Sequence, residues 1–144
     1  MLAVNSYPPD YIDGCRSRME AQLTAYETLV SSAGSKASAV RAAVESFEPL
    51  FFDNLTILLD TSFVHRTRAI EGKDGNPLNE VRMLSDSILV NAGVLLADKT
   101  IKYKPETSVL KLQIGEEIRL DAKRFRTLFE ALFAEIRKRF VARG

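Results

Sequence analysis

The sequence predicts a mainly α-helical single domain: a bundle of about four helices, the second long and kinked at Pro49, with a small β-hairpin between helices three and four. Three observations predict it. Apolar residues recur every three or four positions along most of the chain, and two helix starts carry their own capping residues. One stretch, residues 94–120, instead alternates apolar and polar side chains.

The 144 residues fit one domain, 1–144, because a second would be too small to bury its own core. Hydrophobic residues make up 46% and charged residues 27%, a globular balance that argues against global disorder. A net charge of +1 creates no strong overall field, so binding to nucleic acid needs a local patch. Cys15 is the single cysteine, which excludes an intrachain disulfide and a thiolate metal cluster. The opening MLAVNSYPPDYIDG has neither the basic flank nor the apolar run of a secretory signal. No stretch reaches the roughly 18–20 apolar residues of a membrane helix. The expectation is a cytoplasmic protein with no membrane contact, cofactor or metal.

Residues 1–7 read as a flexible tail. Pro8 and Pro9 suit a first helical turn, where a missing N–H costs little. From there Ile12, Cys15, Met19, Leu23, Tyr26 and Leu29/Val30 draw one apolar stripe. Gly34 reads as its C′ residue and Ser35 as a cap for the next helix. That helix is expected from about Lys36 to about Ile70, amphipathic through Val40, Val44 and Phe47. Beyond Pro49 it is apolar on most sides, with Leu50, Phe51, Leu55, Leu58, Leu59 and Phe63. Such a helix is either buried at the centre or shared with a second subunit.

Residues 71–75 form a turn by composition, and Asn76-Pro77 opens the third helix as cap and first residue, with Glu80 suiting the helix dipole. Leu78, Val81, Leu84/Ser85 and Ile88 face the core before Asn91-Ala92-Gly93 ends it. The alternation in 100–103, 109–114 and 118–120 predicts the hairpin, with Leu110, Leu112, Ile114, Ile118 and Leu120 turned inward. Asp121 caps the last helix, whose stripe is Phe125, Leu128/Phe129, Leu132, Ile136 and Phe140. Arg137, Lys138, Arg139 and Arg143 then sit where the helix dipole favours positive charge.

Two constellations can carry chemistry. His65, the only histidine, stands beside Arg66 and Arg68 and is the one candidate for acid–base catalysis, although no carboxylate or cysteine is spaced to serve it. Arg66, Arg68, Lys73 and Arg82 can converge on one anion, since guanidinium forks suit phosphate. Glu71, Asp74 and Glu80 lie close enough to pair with all of them, which makes structural salt bridges the favoured outcome. Paired metal-ligand spacing, a phosphate loop and a nucleophile elbow are all missing.

The run Ser85-Asp86-Ser87-Ile88-Leu89-Val90-Asn91-Ala92-Gly93 resembles the signature of the HEPN superfamily, helical nucleotide-binding and ribonuclease domains in which a helix carries Arg-Asn-x-[Ile/Val]-[Ile/Val]-His-Asn-x-Gly. The likeness extends over about residues 76–140. Asn91 and Gly93 agree with the pattern, but the catalytic Arg falls at Ser85 and the His at Val90. No Arg-x(4–6)-His pair exists anywhere in the chain, and without an imidazole beside the Arg the proton transfer of RNA cleavage has no carrier. The resemblance therefore implies a non-catalytic, homodimeric binding module for RNA, nucleotide or a partner protein, in a toxin–antitoxin or defence setting. An RNA-cleaving or phosphate-handling enzyme built on His65 and the arginines is the alternative, and a purely structural subunit is the third reading.

Overall fold

A computed structural model describes residues 3–34 and 37–142. Ser35, Lys36 and Arg143, assigned above to a cap, a helix start and a basic end, lie outside the described residues. The chain forms α1 (Pro9–Ala33), α2 (Ser38–Thr61), a single turn α3 (Arg68–Glu71), α4 (Pro77–Val90) and α5 (Ala122–Arg139), with a short 3-10 turn at Pro105–Thr107. No membrane-length apolar helix is present among the described residues.

Local chemistry sets the helix ends. Asn76 accepts from the amides of Leu78 (3.0 Å) and Asn79 (3.3 Å), and Asp121 accepts from Arg124 N at 2.8 Å. Each supplies an acceptor to amides that a helix start leaves without one. Gly34, at φ 74°, ends α1 in the left-handed region.

The expected stripes of α1 and α5 form the core, except at the end of α1, where Leu29 is 62% exposed and Val30 half-buried. In the first part of α2, Val40 and Val44 are half-buried and Phe47 is exposed. Ile12, Cys15, Met19, Leu23 and Tyr26 of α1 are buried, as are Phe125, Leu128, Phe129, Leu132 and Ile136 of α5. Between them pack the second half of α2, through Phe52, Leu55 and Leu59, and α4, through Leu78, Val81 and Leu84. The aromatic rings of Phe52, Phe125, Phe129, Phe133 and Phe63 form a continuous chain of contacts across this core.

The second helix departs from expectation in length. It stays helical through Pro49 but stops at Thr61 rather than near Ile70. A tight turn at Ser62–His65 follows, and His65 takes a left-handed conformation (φ 65°) that reverses the chain. Its two halves also differ. Phe52, Leu55 and Leu59 in the second half are central, whereas Phe47 (45% exposed) and Leu50 (66%), on either side of Pro49, face outward.

Residues 3–7 are held rather than loose. Val4 N donates to His65 O at 2.7 Å, Thr67 N donates back to Val4 O, and Tyr7 is buried against Phe63 and Phe140.

The β-hairpin is not formed: the described residues contain only isolated bridges. Leu112, Ile118 and Leu120 do turn inward, but Leu110 is half-buried and Ile114 is exposed. The amides a strand would offer its neighbour are used elsewhere. Glu80, buried on α4, accepts from Val109 N (2.7 Å) and Leu110 N (3.0 Å), and Ser108 Oγ accepts from Lys111 N. Lys111 itself has φ 56°, which breaks strand geometry. The remaining pairing joins Gly93–Leu95 to Gly115–Ile118 across a single antiparallel bridge.

Candidate functional site

The end of α2, the turn α3 and the first half of α4 bring Arg66, Arg68 and Arg82 together. The anion they share is Glu71, the last residue of α3, whose side chain has no solvent exposure. Arg66 donates to Glu71 Oε1 through Nη2 at 2.9 Å and Nε at 3.2 Å. Arg68 Nη1 reaches Oε2 at 2.9 Å and Arg82 Nη2 reaches the same oxygen at 2.8 Å. Both carboxylate oxygens are thus shared among three guanidiniums.

The rest of the network completes the neutralisation. Arg66, only 1% exposed at its side chain, also pairs with Asp60 at 3.2 Å and donates to the carbonyl of Phe63. Arg68 Nη1 donates to Asn79 Oδ1 at 2.8 Å, and its Nη2 to Thr100 Oγ1. Arg139 Nη1 donates to the carbonyls of Ile70 and Glu71, and so ties α5 to the end of α3. Gly72, at φ 83°, lets the chain leave α3 here, where a Cβ would stand 3.1 Å from Asp74 Oδ1.

Electrostatics follow the geometry. Burial alone would raise the Glu71 carboxyl, but the Arg82 hydrogen bond and the Arg66 charge outweigh it and hold the group below the usual carboxylate range. Burial likewise opposes the charge on Arg82, and the Glu71 contact overrides it upward. Burial, then the Asp60 charge, pushes the nearby Asp86 up. The arginine set therefore faces Asp60, Asp86 and Asp98 as well as Glu71, and its positive charge is largely spoken for.

Lys73 does not join the set. Its side chain is exposed on the following turn, with no ion pair among the described residues, and only its carbonyl is engaged, by Lys102 N at 2.6 Å. His65 is exposed too. Its backbone carbonyl serves the Val4 amide, and its imidazole makes no hydrogen bond among the described residues. Adjacent in sequence, His65 and Arg66 point to opposite environments, one to solvent and one to the interior.

The positions aligned with the HEPN signature also part company. Ser85 is buried at 2% exposure, while Val90 is 75% exposed at the end of α4. Five residues along a helix amount to about 500°, so the two positions lie on different faces.

Sequence reasoning named Glu71 as one of three nearby carboxylates without singling it out. It missed a second basic grouping, Lys102, Lys104 and Lys138 with Arg139. The signal available was the spacing of Lys102 and Lys104, which puts both on one side of an extended segment. Among the described residues no group of His, Cys, Asp and Glu is arranged to hold a metal ion. In comparison with known proteins, no family model, curated protein or solved structure matches this chain.

Proposed function

We propose that the chain is a non-catalytic helical interaction module that pairs with a second copy of itself. The observation that carries this reading is the exposed apolar surface where α1 lies against the part of α2 on either side of Pro49. Leu29 (62% exposed), Phe47 (45%) and Leu50 (66%) present side chains that the domain's own core does not use. Tyr26, Phe47 and Phe51 stack there in series, lining a cleft of ≈ 210 Å³ with Ala25 and Leu29. Contiguous apolar surface of this kind marks a contact site.

A second copy fits for two reasons. Arg41 and Glu45 beside the patch carry both signs, so a two-fold arrangement complements itself. The resemblance to HEPN domains, which pair through helical faces, points the same way. The reactive Arg–His pair of those domains is replaced by Ser85 and Val90, and the arginines near His65 are bonded to Glu71.

Sedimentation over a range of concentrations tests this. The wild type should sediment as a dimer, and Phe47→Glu with Leu50→Glu as a monomer with unchanged helical circular dichroism. A wild type that stays monomeric at high concentration contradicts the pairing. RNA cleavage lost on His65→Ala would overturn the non-catalytic half.

A further inference from the structure

Residues 73–77 and 102–104 run side by side. Lys102 N donates to Lys73 O at 2.6 Å, and a Cβ on Gly75 would meet Tyr103 Cα at 3.3 Å. The last turns of α5 close this pair of segments into a cleft of ≈ 560 Å³, within the range of small-molecule sites. Its cations are Lys102, Lys104, Lys138 and Arg139, and its carboxylates are Asp74 and Glu135.

Both carboxylates are engaged already. Asp74 Oδ1 accepts from Asn76 Nδ2 at 2.9 Å, and Glu135 Oε2 accepts from Arg139 Nε at 2.7 Å. That ion pair and two backbone carbonyls fix the Arg139 guanidinium beside the cleft. The three lysine ammoniums take part in no ion pair among the described residues. The start of α4 contributes nothing further, since Asn76 already occupies its Leu78 and Asn79 amides.

We propose that this cleft binds a phosphorylated small molecule of nucleotide size through Lys102, Lys104 and Lys138. Ammonium groups are point charges that suit phosphate oxygens, and three of them match the several negative charges of a di- or triphosphate better than one carboxylate. An RNA strand needs a positive track several nucleotides long. Here the cations gather in one concavity.

Calorimetric titration of the full chain with ATP and with inorganic pyrophosphate tests the assignment, beside anisotropy with a single-stranded RNA. The variant Lys102→Ala/Lys104→Ala/Lys138→Ala is compared with a charge-matched control, Lys99→Ala/Arg119→Ala/Lys123→Ala, whose positions are exposed and lie outside the cleft. Both ligands should bind the wild type, and each cleft lysine removed should weaken them about tenfold. The control should stay within about twofold. Lys104→Gln alone should show the single tenfold step should the triple variant not fold. No wild-type binding at millimolar ligand, equal losses in cleft and control variants, or binding of RNA alone would each overturn the proposal.

Discussion

Around Glu71, three guanidiniums converge on a carboxylate that water does not reach, whereas in the cleft beside α5 three ammoniums face two carboxylates already bonded to other groups. The first region is richer in arginine and closer to the histidine, so it draws attention as a binding site. Its charges are nevertheless matched from within, and an external anion would have to displace a buried side chain. The second has the weaker cations but leaves them open. Accessibility and internal pairing, not the count of basic residues, separate a structural cluster from a candidate site.

The largest effect should come from removing the shared anion. Glu71→Gln leaves the buried Arg66 guanidinium with Asp60 as its remaining counter-charge and takes the shared anion from the partly exposed Arg68 and Arg82. A loss of about 3–5 kcal/mol is expected in urea unfolding. A change below about 1 kcal/mol would break the contrast between the regions.

The same carboxylate sets an acid limb. Because its folded value lies below its unfolded one, Glu71 stabilises the fold above the ordinary carboxylate range, and that contribution is lost as pH falls through the lowered folded value. Glu80 runs oppositely. Burial raises it despite the amides of Leu110 and Val109, so its contribution is present at low pH and lost as pH rises through the raised value. Stability measured against pH should therefore show a shallower acid limb in Glu71→Gln than in wild type.

Arg82→Ala should cost less, about 1.5 kcal/mol, because Arg66 and Arg68 still hold Glu71 and the Arg82 side chain is 27% exposed. His65→Gly should stabilise by roughly 0.5–1 kcal/mol, since φ 65° suits glycine and the imidazole is not bonded. The smallest effect belongs to the cleft. Removing Lys102, Lys104 and Lys138 should leave thermal stability within about 0.5 kcal/mol of wild type. A loss as large as that of Glu71→Gln would make the lysines structural and erase the distinction.

Much of this was legible in the sequence wherever the cause is local. Asn76 and Asp121 announce helix starts because a cap acts on amides two or three residues away, and the stripes of α1 and α5 follow from helical period alone. The hairpin failed for the converse reason. Alternation fixes which side chains can turn inward but not which acceptor takes the amides, and a carboxylate on α4 claimed those of Val109 and Leu110. The convergence of Arg66, Arg68 and Arg82 was foreseeable from their neighbourhood. The lysine cleft was not, because Lys138 reaches Lys102 and Lys104 only through the packing of α5.

Heteronuclear NMR during a pyrophosphate titration separates the two regions most directly. Resonances of Lys102, Lys104 and Lys138 should shift with ligand while the guanidinium signals of Arg66, Arg68 and Arg82 stay in place. Shifts confined to the three arginines, with the lysines silent, would contradict the account.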